Sequence, residues 1–206
     1  MKLTETGFRA LYHHFCVFPL NARIKVASAD FEGINEADSV LLYGYIDREA
    51  GLTLEIIALA CRKNGKYRFF DPNNEISAFV RAEVLKDEEF EIQDDVNGEL
   101  SDRFSEKISM LSSYNASEEV EAVREMDFLD ASRDEQFIDD VIVYLVKDGC
   151  RPEGCWARIC GLSENKIFGV LLNEPYQNFG LHAGDKIPFG VEKQDGGTVI
   201  CVSFIE

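Results

Sequence analysis

The sequence has few of the residues and motifs that mark common catalytic and nucleotide-binding sites. Among 206 residues there are three histidines and one tryptophan. There is no Gly-x-Gly-x-x-Gly segment and no Gly-Lys-Ser phosphate loop, whose backbone N–H groups would cradle phosphates. There is also no Gly-x-Ser-x-Gly segment, the turn that exposes the nucleophile of many hydrolases. These absences exclude the usual signatures of dinucleotide, nucleoside triphosphate and α/β-hydrolase sites.

Long hydrophobic runs are scarce as well. No apolar stretch approaches the roughly 18 to 20 residues that a helix needs to cross a bilayer. Glu5 and polar residues stand where a signal peptide would need a positive flank and an apolar core. An apolar fraction of 46% is ordinary for a globular chain. We therefore expect a cytoplasmic protein of one large or two small domains.

Six cysteines are present, and their spacing is not that of a zinc site. Cys150, Cys155 and Cys160 are separated by four residues each, without the paired short spacings and histidines of zinc ribbons and fingers. A disulfide between Cys150 and Cys155 is conceivable but disfavoured in a reducing compartment. We predict free thiols, no bound metal and no cofactor. The cysteines inside apolar runs, predicted to be buried, are Cys16, Cys61, Cys160 and Cys201.

Basic residues are few, and the acidic excess is concentrated in one segment. The chain has 21 Lys and Arg against 38 Asp and Glu, a net charge of −17. Residues 1–82 hold ten acidic and ten basic side chains, and residues 141–206 hold eight and six. Residues 83–140, the acidic segment, hold twenty and five. Phosphate groups and anionic membranes both attract clustered Lys and Arg, so we expect neither nucleic acid nor a membrane as a partner.

Strand-like apolar segments dominate the first part of the chain. Residues 13–18 and 22–27 predict two extended pieces on either side of Pro19, which cannot donate to a sheet and therefore favours a strand end or an edge. Residues 39–47 and 52–62 are almost continuously apolar. This pattern predicts neighbouring strands that are covered on both faces.

Two local signals follow the second of these strands. Asn64-Gly65 is the dipeptide that a type I′ hairpin turn prefers, so residues 52–62 should pair with residues 66–70. Asp71 and Pro72 then resemble a helix cap and first helical residue, and apolar residues recur behind them at helical spacing. We predict a helix over the sheet.

The acidic segment predicts two amphipathic helices. One covers about residues 100–111, with an apolar stripe at helical spacing. The other starts near Asn115, which with Glu118 has the spacing of a capping box, and its apolar side includes Val120 and Val123. Their acidic residues should face outward. Residues 83–99 allow either an exposed strand or a loop.

The carboxy-terminal part predicts a small antiparallel β domain. Residues 127–133 look like a linker or an irregular crossing, and residues 137–146 predict a strand that leads into the domain. Four short apolar runs between Gly154 and Phe204 are separated by turn-forming residues. The predicted hairpin connections are 163–166 and 195–197.

These segments together predict an α+β protein with two parts. Residues 1–130 should form a mixed or antiparallel sheet with packed helices, including the helices of the acidic segment. Residues 131–206 should form the small antiparallel β domain.

A set of short motifs lies along the carboxy-terminal part of the chain. They are Arg124 with Leu129-Asp130, Trp156-Ala157-Arg158, Gly169-Val170-Leu171, Asn173-Glu174-Pro175 and Gly184-Asp185-Lys186-Ile187. In this order they resemble the YegJ-like uncharacterised bacterial domains, a family of unknown function. The resemblance implies a bacterial source and a compact domain that is often attached to other modules. It assigns no catalytic residue.

Glu174, His182 and Asp185 are titratable residues of complementary type around one predicted loop. A histidine with a carboxylate partner can titrate near neutrality, which suits general acid and base catalysis. The three residues are therefore candidates for a pocket in an enzyme or a small-ligand binder. In the competing interpretation, Asp185 follows Gly184 in a tight turn, Glu174 is a corner residue, and His182 only decorates the loop.

Trp156 and Arg158 share one face of a predicted strand. Both residue types are enriched at the energetic centres of protein interfaces, so the pair is a candidate interaction site. We prefer the competing interpretation, in which the single tryptophan anchors the core. His13 and His14 should point to opposite faces of a strand, so we expect no metal ion between them.

Glu118, Glu119 and Glu121 are the candidate contact residues of the acidic segment, on the outward side of the second helix. An anionic surface accelerates association with a basic partner. We therefore predict a non-enzymatic protein-binding module, comparable to immunity proteins that neutralise cationic nuclease toxins. The alternatives are a merely solvated acidic surface and the enzyme or small-ligand binder at Glu174, His182 and Asp185.

Overall fold

The computed structural model of the chain describes residues 1–164, 166–194 and 197–206. It divides into two compact units, Met1–Asn115 and Ala116–Glu206. The first unit is built on a six-stranded antiparallel sheet and the second on a closed five-stranded barrel. The coarse α+β class is therefore confirmed. The boundary between the units falls after Asn115, whereas the sequence placed it near residue 130.

The first unit contains β1 (Phe15–Pro19), β2 (Ser39–Asp47), β3 (Gly51–Lys63), β4 (Lys66–Phe69), β5 (Phe79–Arg81) and β6 (Glu91–Gln93). Its α-helices are α1 (Leu3–Thr6), α2 (Ala22–Ala27), α3 (Glu99–Arg103) and α4 (Ser105–Ser109). Single 3-10 turns lie at Phe8–Ala10, Ala82–Leu85, Val96–Gly98 and Met110–Tyr114. The strand order is β4, β3, β2, β1, β6, and β5 also pairs with β3.

The central strands β2 and β3 are buried along almost their whole length, which confirms the predicted cover on both faces. The hairpin from β3 to β4 is the one that the sequence predicts. Asn64 has φ 51° and Gly65 has φ 78°, the left-handed values that a type I′ turn requires at both positions. Pro19 is the last residue of β1, as its missing N–H favours.

Residues 22–27 form helix α2, so the strand predicted there is wrong. The Ile24 N–H donates to the side chain of Asn21 (3.0 Å), which caps the helix. The Ser28 hydroxyl donates to the Ile24 carbonyl at the other end (2.7 Å). A capping asparagine stabilises a helix start by about 1 kcal/mol, and this local bond outweighs the strand propensity of Ile24 and Val26.

The helix predicted to start at Pro72 is also wrong, because residues 72–78 are irregular and lead into β5. Two buried side chains form hydrogen bonds with the backbone of this stretch. The Ala78 N–H donates to the Glu55 carboxylate (3.2 Å), and the Lys107 ammonium donates to the carbonyl of Ile76. Contacts with residues far along the chain therefore outweigh the local helix signal.

The apolar stripe predicted over residues 100–111 is confirmed, but the single helix predicted there is interrupted at Phe104 (φ −110°, ψ 19°), which separates α3 from α4. Phe104 is buried in an apolar cluster with Phe15, and the partly buried Leu100 and Ile108 pack against the same cluster. Residues 83–99 combine both alternatives, because three of them form the edge strand β6 beside β1 and the others form turns.

The second unit contains α5 (Glu118–Arg124), a 3-10 helix (Asp127–Ser132), β7 (Asp140–Val146), β8 (Glu153–Ser163), β9 (Lys166–Leu171), β10 (Lys186–Lys193) and β11 (Val199–Phe204). The strands close in the order β10, β11, β7, β8, β9. Neighbours are antiparallel except β11 and β7, which are parallel. The predicted antiparallel domain is therefore wrong at this pair. In an up-and-down run of five strands the first and last point the same way, so closure must pair them in parallel.

Helix α5 and the 3-10 turn belong to the barrel unit because Val120, Val123 and Leu129 are part of its apolar core. Residues 127–133 are thus packed and do not form a linker. The cap of α5 is Ser117, whose side chain accepts from the Val120 N–H (3.4 Å), and the predicted cap at Asn115 is wrong. Among the turn residues predicted in this unit, Asn165, Asp195 and Gly196 lie outside the described residues.

All six cysteines are free thiols. Cys160 is partly exposed, so its predicted burial is wrong, because the side chains that alternate with it on β8 take the inward positions. The buried thiols are Cys16, Cys61, Cys155 and Cys201. In the described ranges, no helix is both long enough and apolar enough to cross a membrane.

Candidate functional site

Glu174, His182 and Asp185 come together, on an exposed loop between β9 and β10. His182 Nδ1 lies 2.6 Å from Glu174 Oε1, and the Ala183 N–H donates to the same carboxylate (2.9 Å). Asp185 accepts a bond from the His182 backbone N–H (2.7 Å). The His182 and Glu174 side chains are 76% and 58% exposed. These hydrogen bonds hold the two ends of the loop together, and the side chains of His182 and Glu174 lie mostly in solvent.

Glu174 and His182 each shift the pKa of the other. The hydrogen bond and charge of Glu174 raise the pKa of His182, while the Ala183 N–H and then His182 lower the pKa of Glu174. Because the folded-state pKa of His182 is raised, the stabilisation by its charge is complete below about pH 6.5 and is lost as the pH rises through that higher value. At the acid end the pair is lost as the pH falls through the lowered pKa of Glu174. Water screens such an exposed pair strongly.

Trp156 and Arg158 lie on the outer face of the barrel. Ala157 and Ile159, which alternate with them along β8, are buried in its core. Trp156 is 37% exposed, so the interpretation as a core anchor is wrong. Successive side chains of a strand point to opposite faces, so with Ala157 and Ile159 directed inward, Trp156 is directed outward. Arg158 makes a bidentate contact with Asp140 of β7 (2.7 and 3.0 Å), which fixes its guanidinium on the barrel wall.

The three candidate glutamates lie on α5, in two environments. Glu118 and Glu119 are exposed in the first turn, and Glu121 is partly buried. Glu121 pairs with Arg124 (2.8 Å), a side chain that is 1% exposed. Arg124 also binds both oxygens of the buried Asp139 (2.9 and 2.7 Å). The one basic residue of this helix is therefore directed inward.

Three of the five basic residues of the acidic segment are buried: Lys107, Arg124 and Arg133. Lys107 binds the buried carboxylate of Glu55 (3.1 Å), and Arg133 donates to two backbone carbonyls (2.7 and 2.6 Å). The exposed acidic residues of the segment are Glu83, Asp87, Glu89, Glu91, Asp94, Glu99, Asp102 and Glu106 in the first unit, and Glu118, Glu119, Glu125, Asp127, Asp130 and Glu135 in the second. Glu91 contacts Arg62 at the surface (3.0 Å), and Asp130 contacts the buried Arg133 (3.3 Å).

A groove in the first unit was not predicted from the sequence, and it is built where residues 11–14 cross β2 at Gly44. The His13 N–H donates to the Gly44 carbonyl (2.9 Å), and the Gly44 N–H donates to the His14 carbonyl (3.3 Å). A Cβ at Gly44 would lie 2.0 Å from the Leu11 carbonyl oxygen. Only glycine allows two backbones to approach so closely.

The crossing holds His13 in a left-handed conformation with φ 57°, a region in which histidine is enriched among non-glycine residues. Its ring stacks on Tyr12 with centroids 3.9 Å apart. Residues 13–18 are thus not one strand, because β1 begins at Phe15, and both His13 and His14 line the groove. The prediction that they face opposite ways is wrong for this reason.

One wall of the groove is a row across three strands, where Tyr43 of β2 is opposite Phe15 of β1 and Phe15 is opposite Gln93 of β6. The Phe15 and Tyr43 rings meet edge to face at 5.0 Å. The volume of the groove is about 390 Å³. We call it the His13 groove; its lining residues are His13, His14, Phe15, Tyr43, Ile92, Gln93, Asp94, Asp95, Val96 and Ser101.

Asp95 supplies a fixed negative charge to the groove. Its carboxylate accepts bonds from the hydroxyl of Ser101 and from the N–H groups of Leu100 (2.6 Å) and Ser101 (3.1 Å). The Ser101 hydroxyl, with these N–H groups, lowers the pKa of Asp95. Burial, and next the charge of Asp95, raise the pKa of Tyr43. At neutral pH the groove therefore pairs an ionised carboxylate with a neutral phenol.

The described part of the chain, residues 1–164, 166–194 and 197–206, contains no group of three or more His, Cys, Asp or Glu residues placed to hold a metal ion. Comparison with protein-family models, curated proteins and solved structures finds no match to the chain. The resemblance to YegJ-like domains, the bacterial source and the cytoplasmic location therefore stay predictions.

Proposed function

We propose that the protein is a non-enzymatic binding module whose acidic segment engages a basic partner protein. The observation that carries the proposal is that basic side chains of the segment are buried while its acidic side chains are exposed. Lys107, Arg124 and Arg133 neutralise or hydrogen bond to groups inside their units, while most of the acidic side chains of the segment are exposed. Exposed acidic side chains of the segment therefore outnumber its exposed basic ones by fourteen to two, a higher ratio than the twenty to five of its composition.

Such a surface acts mainly on encounter and selectivity. Complementary fields raise association rates by one to three orders of magnitude at low salt, and they reject partners of like charge. A protein with clustered Lys and Arg residues on its surface is the kind of partner that complements this anionic surface. The immunity-type role is the finer form of the proposal, in which the partner is a cationic nuclease whose activity is blocked in the complex.

Trp156 supports a protein-binding role for the second unit as well. It is exposed beside Tyr144, which is 38% exposed on the neighbouring strand β7. Exposed aromatic residues on rigid strands are typical anchors of interfaces, because they offer large contact area with few rotatable bonds. The loop at Glu174 carries no second proposal, since the carboxylates of Glu174 and Asp185 accept hydrogen bonds from the loop itself.

Salt sensitivity tests the proposal. The tagged full chain is used to capture proteins from bacterial lysate at about 0.05 M salt, and each captured protein is identified and then purified for direct titration. We expect a partner of basic isoelectric point whose complex is lost near 0.5 M salt, where screening reaches only about 3 to 5 Å. An acidic partner, or an affinity that salt leaves unchanged, contradicts the proposal. If the partner is a nuclease, loss of its activity in the complex supports the immunity-type role.

A further inference from the structure

We infer that the His13 groove is a recognition site for the guanidinium group of an arginine side chain. The inference rests on the proposed function, because the arginine would belong to the basic partner, and both carboxylates of the lining, Asp94 and Asp95, belong to the acidic segment. The groove adds a defined cavity to what is otherwise a diffuse charged surface.

The aromatic surfaces of the groove favour a planar cation. The centroid of the His13 ring lies 3.9 Å from that of Tyr12 and 6.2 Å from that of Tyr43, with ring planes inclined by only 25° and 20°. The buried ring of Phe15 packs edge to face against that of Tyr43, with centroids 5.0 Å apart, and supports it from the core. A guanidinium group stacks on such faces and is weakly hydrated, whereas the ammonium of lysine is compact and strongly hydrated.

Three side chains of the groove offer acceptors, which favours a ligand with many donors. Asp94 and Asp95 contribute carboxylates. The Nδ1 of His14 lies 2.8 Å from the Tyr12 carbonyl, and since a carbonyl only accepts, Nδ1 is the donor; in the tautomer with one proton, Nε2 is an acceptor. Guanidinium has five N–H donors in a fixed plane and no acceptor, so it is the side-chain group that matches this lining.

The size of the groove fits one side chain. Its volume of about 390 Å³ is at the small end of ligand pockets, which span roughly 300–1,000 Å³. A second cavity of about 270 Å³ adjoins it, because His13 and Tyr43 line both. Tyr45 and Tyr114 form part of the second cavity, with ring centroids 4.7 Å apart. The stem of the arginine or a neighbouring apolar side chain of the partner fits there.

Free amino acid amides test the groove without the partner. The full chain is titrated with Nα-acetyl-arginine amide and with Nα-acetyl-lysine amide while the backbone NMR signals of His13, Tyr43, Asp94 and Ser101 are followed. We expect saturable shifts at these residues and at least about threefold tighter binding of the arginine amide, the size of one modest cation–π contact. Equal affinities, or shifts spread evenly over the acidic surface, overturn the inference.

Variants separate the two parts of the site. Asp94→Asn should weaken the arginine amide about threefold or more, while Glu83→Gln, an exposed acid of the same segment outside the groove, should leave its affinity unchanged. Tyr43→Phe keeps the ring and should retain binding, and Tyr43→Leu should lose most of it, with the remaining signals of β1 and β2 checking the fold. Equal effects of Asp94→Asn and Glu83→Gln overturn the site.

Failure of the groove and failure of the proposed function have different outcomes. If the amides do not bind but a basic partner is captured in a salt-sensitive complex, the groove is wrong and the function stands. If the arginine amide binds at these residues and no basic partner exists, the function is wrong and the groove is a site for small guanidinium compounds.

Discussion

Replacing Arg124 with methionine is expected to lower the free energy of unfolding by about 3–5 kcal/mol, the usual penalty for removing one partner of a buried ion pair. The variant leaves Asp139, which is 3% exposed, without the two bonds of 2.9 and 2.7 Å that neutralise it. Glu121 would lose its contact of 2.8 Å as well. The penalty arises mainly from the buried charge left behind, since methionine keeps much of the apolar stem.

Guanidinium unfolding followed by the fluorescence of Trp156 measures this effect, because the only tryptophan reports on the second unit. Arg151→Met is the matched control, since Arg151 is exposed in the same unit, and it should change stability by no more than about 0.5 kcal/mol. Arg124→Met combined with Asp139→Leu should recover much of the loss, because an apolar replacement of both partners removes the unpaired charge. A loss under about 1 kcal/mol in Arg124→Met would show that Arg124 is not the internal counter-charge described above.

Gly44→Ala should lower the stability of the first unit by about 3 kcal/mol, at the upper end of the range for an added methyl group in a packed interior. The new Cβ would meet the Leu11 carbonyl carbon and oxygen at 2.6 and 2.0 Å. These are backbone atoms, so no side-chain rotation can relieve the contact. Residues 11–14 must move away from β2, and the two hydrogen bonds between this segment and Gly44 should be lost with them.

Gly190→Ala is the control for this variant, because Gly190 is also on a strand and a Cβ there would meet no atom within 4 Å. Thermal unfolding by circular dichroism gives the stability, and the NMR signals of His13 and His14 report the groove. We expect the signals of both histidines to shift in Gly44→Ala and to stay in place in Gly190→Ala. Unchanged stability in Gly44→Ala would mean that the segment does not depend on the close approach.

The elements that were predictable from the sequence are those fixed by short-range chemistry. The continuous apolar stretches of β2 and β3 predicted buried neighbouring strands, and Asn64-Gly65 predicted the turn that follows, because both positions need positive φ. The stripe through Phe104 was visible because helical periodicity is a property of adjacent turns. In each case the determining interaction spans a few residues.

The elements that were mispredicted depend on contacts between residues distant in sequence, or on which face of a strand points into the core. The irregular chain before β5 is determined by Glu55 and Lys107, which are far from it in sequence. The alternation of β8 was read correctly, but a sequence does not state which face is inward, and Trp156 proved to be on the outer one. At α2 the sequence does carry a signal, since Asn21 is a strong helix cap, but the neighbouring Pro19 and the β-branched Ile24 and Val26 favour a strand.

The groove could not be read from the sequence because its parts are separated along the chain. His13 and Asp95 come together only through the pairing of β1 with both β2 and β6. One signal was available: Gly44 interrupts an otherwise large apolar run, and an isolated glycine inside a strand often marks the close approach of another backbone. That glycine indicates where residues 11–14 cross, but not which side chains meet there.

The central claim, that the acidic segment binds a basic protein, is tested most directly by matched charge variants in the purified complex. Glu118→Gln, Glu119→Gln and Glu125→Gln together remove three exposed charges of the segment, and Glu164→Gln, Glu192→Gln and Glu206→Gln remove three exposed charges of the same unit outside it. The affinity of each triple variant is measured by calorimetry at low salt. We predict that the first triple variant weakens binding about tenfold and the second by less than about twofold; equal losses in the two would contradict the claim.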